Sequence, residues 1–277
     1  MRLNRKRSLH ILKVPKNTGR TSAIPDRLPN RQVKTEVFKV DSTENETCPV
    51  CHGSGWAPAE IEGTVRRCDC RIVLRIEQLL ARARIPARYK ACDLNNYMPL
   101  NSSQKNAKMH VQKFLENYHP LDEKGRGLLF IGSCGVGKTH LAVSLLKHII
   151  TQKGDLGLFY DFRDLLREIQ GTWNPDSQSS ELEILRPVMD AKVLVLDELG
   201  ANKPTAWVKD IVSHIINCRY NERKITIFTS NFLDNPVKAG EETLTDRIDA
   251  RLRSRVYEMC HTIEIKGDDF RQEVGKY

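Results

Sequence analysis

The sequence predicts an α/β protein whose mostly parallel sheet is covered by helices on both faces. From residue 85 onward, short apolar runs typical of strands alternate with longer segments of helical periodicity, a pattern typical of parallel sheets. A glycine-rich turn joins one apolar run to one such helix. A second apolar run ends in two acids, Asp197 and Glu198. The 277 residues suffice for one such domain and a small additional module.

The predicted elements follow one another in a regular order. Helices are expected at 71–84, 102–118, 138–153, 162–170, 181–189, 205–220 and 243–253. Strands are expected at 128–131, 156–160, 192–196, 225–229 and 262–265, and a polar loop at 171–180. The predicted domains are a basic, disordered arm at 1–45, a zinc-binding module at 46–72, a linker helix at 73–90 and a nucleotide-binding domain at 91–277.

The composition favours a cytoplasmic protein that contacts nucleic acid. The formal net charge is +9, and a basic balance favours nucleic acid or an acidic partner. We find no apolar run long enough to span a bilayer and no apolar signal core at the start, so neither a membrane partner nor secretion is expected. Eight cysteines in a chain for which no signal peptide is expected argue against a disulfide framework.

Residues 1–45 are predicted to form the mobile arm. Seven basic residues precede the first acid, Asp26, and Pro15, Pro25 and Pro29 would interrupt any helix. Three interpretations remain open: a tether for nucleic acid or a partner, a solvated tail, and an organelle transit peptide.

Four clustered cysteines predict a structural zinc site in the second module. Cys48 and Cys51 form one close pair, and Cys68 and Cys70 form another. Four thiolates suit tetrahedral Zn²⁺, and a segment this small needs the metal for its folding energy. The alternatives are an iron–sulfur site, a redox pair or four unrelated thiols.

The arginines of the helix that follows either meet phosphates or form a solvated face.

The glycine-rich turn has the spacing G-x-x-x-x-G-K-T, typical of loops that bind a nucleoside di- or triphosphate. Glycines let backbone N–H groups close around the phosphates, and the following helix directs the positive end of its dipole toward them. Lys138 would reach the β and γ phosphates, and the Thr139 hydroxyl would ligate Mg²⁺. The predicted nucleotide-binding residues of this segment are Gly132, Ser133, Cys134, Gly135, Val136, Gly137, Lys138, Thr139 and His140.

Polar residues at the ends of two buried strands complete the predicted site. Asp197 would hold Mg²⁺, directly or through water, and Glu198 would polarise a water aimed at the γ-phosphate. Asn231 follows the strand at 225–229 and either holds that water or senses the γ-phosphate; the alternative is an ordinary turn residue.

Arginines near the C-terminus predict stabilisation of the transferred phosphate. Residues 246–255 are dense in guanidinium groups, which suit action across a subunit interface. Counting alone does not choose which of these arginines acts, and Arg251, Arg253 and Arg255 lie close together. Arg271 would reach a phosphate in its own subunit; the alternative is an ordinary surface arginine.

Together these motifs make the chain similar to AAA+ ATPases of the DnaC/DnaI/IstB type. The motifs that carry the resemblance are the loop at 132–139, Leu-Asp-Glu-Leu-Gly at 196–200, Arg-Tyr-Asn-Glu-Arg-Lys at 219–224, Thr-Ser-Asn at 229–231, Ser-Arg-Val at 254–256 and Gly-Asp-Asp-Phe-Arg at 267–271. Residues 85–89 resemble the start of that domain. The resemblance implies ATP, with Arg255 as arginine finger, Asn231 as sensor 1 and Arg271 as sensor 2. Arg251 is the reserve finger.

The resemblance also implies a function. It predicts an ATP-dependent loader of the replicative, hexameric DNA helicase that binds single-stranded DNA. Copies would associate head-to-tail and hydrolyse ATP at their junctions, weakly without DNA or partner. The four-cysteine module resembles metal-binding modules with which some loaders bind helicase, but not every member has one. Two alternatives are an IstB-type transposition ATPase, which binds duplex DNA and recruits a transposase, and an ATP-binding scaffold that barely hydrolyses.

Overall fold

The computed structural model describes residues 48–59, 63–119, 125–174, 176–236, 238 and 240–274. The predicted arm at 1–45 lies outside these residues. The described residues all belong to one unit, Thr47–Tyr277. Within them, no helix combines the length and apolar composition needed to cross a membrane.

A five-stranded parallel sheet forms the centre of the main domain. Its strands are β3 (Gly127–Ile131), β4 (Gly157–Asp161), β5 (Val193–Asp197), β6 (Ile225–Ser230) and β7 (Cys260–Glu264), in the order β4-β5-β6-β3-β7. Every residue of β3, β5 and β6 is buried. Continuous burial is what a strand with helices on both faces requires, so the predicted α/β fold is confirmed.

Helices of two groups cover the sheet. The helices are α1 (Asp69–Arg82), α2 (Ser102–Asn117), α3 (Lys138–Lys153), α4 (Phe162–Gly171), α5 (Glu181–Asp190), α6 (Ala206–Asn221), α7 (Leu244–Ile248), α8 (Ala250–Met259) and α9 (Phe270–Val274). Alternate residues of β3 show the two faces. Phe130 packs with apolar residues of α2 and α3, whereas Leu129 packs with those of α4, α5, α6 and α8.

The predicted helix at 243–253 is wrong, because the structure has two helices there. Asp249 has φ 75° and separates α7 from α8, which continues to Met259. The Asp249 side chain accepts a hydrogen bond from Leu252 N and so caps α8. A capping aspartate offers the backbone an alternative to continuing the first helix. The strand predicted at 262–265 correspondingly begins earlier, at Cys260.

The four-cysteine module is a short hairpin followed directly by α1. Strands β1 (Trp56–Pro58) and β2 (Val65–Arg67) pair antiparallel. Helix α1 begins two residues earlier than predicted, so that Cys70 lies in its first turn. Just beyond α1, the carbonyl of Ala83 accepts a hydrogen bond of 2.8 Å from Phe159 N, which joins this module to the edge strand β4.

Arg219, one of the residues in the motif at 219–224, has a structural role. Its side chain is fully buried on α6. It donates to the carbonyls of Val188, Ala191 and Ile225 at 2.6–2.8 Å and to Thr226 Oγ1 at 2.9 Å. Burial lowers the pKa of this guanidinium to about 9. Arg219 therefore satisfies carbonyls at the end of α5 and the start of β6 that would otherwise be buried without partners.

Candidate functional site

The glycine-rich turn has a backbone that only glycine permits. Gly132 has φ 148°, and a Cβ there would lie 2.1 Å from the carbonyl oxygen of Ile265. Gly137 has φ 97°, and a Cβ there would lie 2.7 Å from the Tyr97 ring. Gly137 is also the residue immediately before α3. The turn thus leads from β3 straight into the N-terminus of a long helix, where backbone N–H groups lack helical partners.

Lys138 lies folded inside this turn. Its ammonium donates to the carbonyls of Gly132 at 2.9 Å and Ser133 at 2.6 Å. The residue is only 6% exposed, and burial lowers the pKa of its ammonium to about 8. A cation buried against neutral carbonyls is poorly compensated, so an anionic phosphate would be a better partner.

Asp197 lies next to Thr139, as the predicted magnesium site requires. Thr139 Oγ1 donates to the Asp197 carboxylate at 2.9 Å, and Thr229 Oγ1 donates to it at 2.6 Å. Burial raises the pKa of Asp197 to about 6, although hydrogen bonds from both threonines favour the charged form. A hydroxyl and a buried carboxylate in contact are a donor set that suits a hard, oxygen-binding cation.

Glu198 directly follows Asp197 but has different surroundings. It has φ 58°, and its carboxylate forms an ion pair of 2.9 Å with Arg163 Nη2. Its backbone N donates to Thr229 Oγ1 at 2.9 Å. Thr229 therefore holds both acids at once, since the same hydroxyl donates to Asp197. Neither Thr229 nor Arg163 was predicted as a site residue, although Thr229 belongs to the motif at 229–231. Their signal is their position at the end of β6 and the start of α4, beside the acids.

A cavity of about 240 Å³ brings most of the predicted residues together. Lys138, Thr139, Glu198, Asn231 and Arg271 all line it. The predicted residues Cys134, Gly135, Gly137 and His140 line it as well, and residues that were not predicted, Arg88, Tyr89, Cys92, Thr229 and Phe270, complete the wall. One cavity therefore combines a phosphate-type loop, Glu198, two threonines and aromatic side chains. Asp197 does not line the cavity itself but lies directly behind it, hydrogen-bonded to Thr139 and Thr229.

The terminal motif at 267–271 lies along the glycine-rich turn, which explains how Arg271 enters the cavity. Ser133 Oγ donates to the Gly267 carbonyl at 3.2 Å, and Phe270 N donates to the Gly135 carbonyl at 3.4 Å. A Cβ at Gly135 would lie 1.7 Å from a carboxylate oxygen of Asp269. The glycine at position 135 is thus required by this close approach as well as by its φ of 76°.

Comparison with known protein families identifies the chain. Residues 71–276 match the model of the IstB-like ATP binding protein family. The chain belongs to this family. The match spans the sheet, the cavity and the terminal motif.

Named relatives of this IstB-like protein include helicase loaders. It is 26% identical over 180 residues to the replicative helicase loader DnaC of Buchnera aphidicola from Acyrthosiphon pisum, covering 65% of this chain and 70% of that one. It is 26% identical over 170 residues to the replicative helicase loader DnaI of Bacillus subtilis, covering 58% of this chain and 52% of that one.

Solved structures support the same AAA+ fold. A crystal structure of the DnaC helicase loader has 36% identity and a TM-score of 0.57, covering 65% of this chain and all of that one. The structure of DnaI has 26% identity and a TM-score of 0.55, covering 67% of this chain and 94% of that one. DnaA from Aquifex aeolicus, at 20% identity and a TM-score of 0.51 over 70% and 55%, shows a similar fold. The predicted resemblance to the DnaC/DnaI/IstB type is confirmed.

At the far end of the cavity of the IstB-like chain, His140 supports the wall. Its Nε2 lies 3.0 Å from the Asp93 carbonyl oxygen and 3.0 Å from Asn96 Oδ1. Both atoms are acceptors, so Nε2 carries the hydrogen and donates. His140 thereby fixes the loop that contains Cys92, one of the residues that line the cavity.

The structure separates the three candidate finger arginines by their surroundings. Arg253 is 2% exposed, forms two bonds of 2.6 Å to the Asp234 carboxylate and stacks 3.5 Å from the Tyr257 ring. It is therefore a structural residue. Arg251 is exposed and Arg255 half-buried, and neither is among the described residues that line the 240 Å³ cavity of its own chain.

The four clustered cysteines have the geometry of a single-ion site. Their sulfur atoms all lie within 4.8 Å of one another, with Cys48 Sγ 3.7 Å from Cys68 Sγ and Cys51 Sγ 3.5 Å from Cys70 Sγ. Zinc–sulfur bonds of about 2.3 Å place tetrahedral ligands about 3.8 Å apart. The donor set therefore fits one Zn²⁺, whereas a cluster of several iron atoms would need more space between the sulfurs.

Proposed function

We propose that the protein loads a replicative DNA helicase onto single-stranded DNA, driven by ATP bound at junctions between head-to-tail copies. The observation that carries this proposal is a single cavity holding Lys138, Thr139, Glu198, Asn231 and Arg271 in a chain whose named relatives are helicase loaders. The helicase partner is inferred from the names of the relatives. The junctions are inferred from the incomplete site, since no finger arginine lines the cavity among the described residues.

The predicted side chains of the cavity, with the adjacent Asp197, have roles in hydrolysis. Lys138 binds the β and γ phosphates. Thr139 and Asp197 would hold Mg²⁺, which would neutralise charge on the phosphates. Glu198 orients and deprotonates the attacking water, while Asn231 and Arg271 contact the γ-phosphate. Arg255 from the neighbouring copy completes the site.

The ion pair between Glu198 and Arg163 supports slow hydrolysis by the protein alone. An arginine 2.9 Å from the carboxylate competes with water for the oxygen that would accept the proton. The pair is partly exposed, with 33% of the Glu198 side chain accessible, so breaking it costs little. A partner or DNA that draws Arg163 away would free Glu198 for catalysis.

An exposed tryptophan supports contact with single-stranded DNA. Trp173 is 58% exposed and packs edge-on against Trp207, with ring centres 5.0 Å apart. Exposed tryptophan rings serve as stacking platforms for unpaired bases, at about 1–3 kcal/mol per base. The net charge of +9 supplies the accompanying attraction to the phosphate backbone.

The cysteine module supports docking on the helicase. Apolar side chains of the hairpin and α1 are exposed to an unusual degree: Val50, Trp56, Val65, Ile72, Val73 and Leu74 are each between 47% and 66% accessible. Helix α1 has no buried residue. Such an apolar surface marks a site of protein contact, and zinc would hold the hairpin that presents it.

We expect the purified protein to carry one zinc per chain through Cys48, Cys51, Cys68 and Cys70. Three-residue strands cannot bury enough surface to hold the hairpin, so the metal supplies its folding energy. Elemental analysis measures the ratio. Cys51→Ser should lose the zinc, whereas the control Cys218→Ser on α6 should keep it. Iron, or no metal, in the unmodified protein would rule out the zinc site.

The proposed function is tested by loading a hexameric replicative helicase onto closed circular single-stranded DNA. In the presence of ATP, the protein should increase the amount of helicase that co-elutes with the circular DNA about tenfold, because loading requires the ATP-bound form. Lys138→Ala should lose this stimulation, and Lys153→Ala, at the other end of α3, should retain it. If the protein bound duplex DNA but loaded no helicase, this result would contradict the proposal and favour a transposition ATPase.

A further inference from the structure

Arg255 is held by a side chain of the neighbouring helix. Its Nη1 donates to Asn217 Oδ1, and its Cζ lies 5.8 Å from the centre of the Tyr220 ring. Asn217 and Tyr220 are three residues apart on α6 and therefore share one face of that helix. Asn217 and Arg255 are both half-buried, so water competes only partly for the guanidinium.

The chemistry of this contact differs from that of Arg253 on the same helix. Arg253 is paired with a carboxylate, Asp234, through two bonds of 2.6 Å, which compensates its charge. Asn217 presents a neutral amide oxygen, which accepts one of the five guanidinium N–H donors and leaves the positive charge uncompensated. The amide thus fixes the direction of Arg255 while preserving its attraction for a phosphate.

We propose that Asn217 is a positioning residue for Arg255, one that aims the guanidinium at the ATP bound by the adjoining copy. The inference rests on the proposed function, in which Arg255 acts across a junction. An unrestrained arginine must lose side-chain entropy to adopt one geometry. Asn217 orders the guanidinium before the junction forms, so less entropy is lost in the transition state.

A second contact between the same helices provides a matched control. The Tyr220 hydroxyl donates to Glu258 Oε2 at 2.8 Å, and this bond joins α6 to α8 through atoms other than the Arg255 guanidinium and the Asn217 amide. If the role of Asn217 were merely to hold the two helices together, loss of the Tyr220–Glu258 bond would have a similar effect. Glu258→Ala removes that bond and leaves the acceptor of Arg255 in place.

The experiment mixes two catalytically inactive proteins. Arg255→Ala supplies a complete cavity without a finger, and Glu198→Gln supplies a finger without a working cavity. The mixture should regain turnover at junctions where the Glu198→Gln copy places its Arg255 in the cavity of an Arg255→Ala copy. Adding Asn217→Leu to the donor should lower this regained kcat about tenfold, as expected for a lost hydrogen bond to a charged group. Adding it to the acceptor should change kcat less than twofold.

Each outcome separates the two proposals. Equal loss with Asn217→Leu on donor and acceptor, or equal loss with Glu258→Ala on the donor, would overturn the positioning role and leave a structural one. Full activity of the donor that carries Asn217→Leu would overturn it as well, while leaving the finger intact. If the starting mixture of Arg255→Ala and Glu198→Gln regains no turnover although the copies associate, Arg255 does not act in trans, and the positioning role of Asn217 fails with it, whereas helicase loading is decided by its own test.

Discussion

Arg255→Ala is expected to lower ATP turnover by about 10³-fold, the lower end of the range for arginine fingers, while ATP affinity stays within about twofold. The affinity is preserved because Arg255 is not among the described residues that line the cavity of its own chain. Turnover is lost because charge develops on the transferred phosphate and needs a cation from outside the cavity. A fluorescent ATP analogue measures the affinity, and phosphate release measures kcat.

Arg251→Ala is the matched control, since Arg251 lies one helical turn from Arg255 and is exposed. We expect it to keep turnover within about twofold, as a solvated charge contributes little. The opposite result, with Arg251→Ala inactive and Arg255→Ala active, would transfer the finger to Arg251. A large loss of ATP affinity in Arg255→Ala would show instead that Arg255 binds nucleotide directly.

The sheet was predictable because its strands are short buried runs whose composition is dictated by their surroundings. In β5, four consecutive apolar residues are followed by Asp197, so the sequence shows both the strand and the edge where a ligand binds. Local caps fix several helix ends in the same way. Ser180 and Glu183, for example, form a capping box at the start of α5, as their spacing indicates.

Contacts between distant segments were not predictable. The pairing of Glu198 with Arg163 depends on how α4 is placed beside β5, and neither residue type nor spacing contains that information. The choice among the arginines of α8 likewise depended on Asp234, which lies 19 residues away and buries Arg253. The prediction missed the break between α7 and α8 for a related reason. Asp249 has φ 75° in the structure, but in the sequence it looks like an ordinary helical residue.

The buried charges of Lys138 and Asp197 make the site costly to fold. Lys138 and Asp197 are 6% and 3% exposed. The pKa of Lys138 is lowered to about 8 and that of Asp197 raised to about 6, and burial is the main cause of both shifts. Both directions mean that the charged form is less favourable in the folded than in the unfolded protein. Nucleotide and magnesium would supply the missing opposite charges.

Asp197→Asn is therefore expected to stabilise the protein while abolishing its activity. Above pH 6 the carboxylate is charged in both states, and the raised pKa corresponds to about 3 kcal/mol of lost stability at about 1.4 kcal/mol per unit. Between pH 6 and 4 the folded state takes up a proton that the unfolded state does not, so this loss disappears as the pH falls. Asparagine does not titrate, and its Oδ1 still accepts from Thr139 and Thr229.

Urea unfolding without added magnesium tests this expectation. The variant should exceed the original protein by about 1–3 kcal/mol in free energy of unfolding at pH 8, and the difference should shrink toward zero near pH 4. The exposed carboxylate of the control Asp210→Asn on α6 should produce no such pH dependence. Turnover of Asp197→Asn should fall about 10³-fold because the side chain proposed to hold magnesium loses its charge. If the variant were less stable than the original protein at pH 8, the hydrogen bonds from Thr139 and Thr229 would outweigh the cost of burying the Asp197 carboxylate.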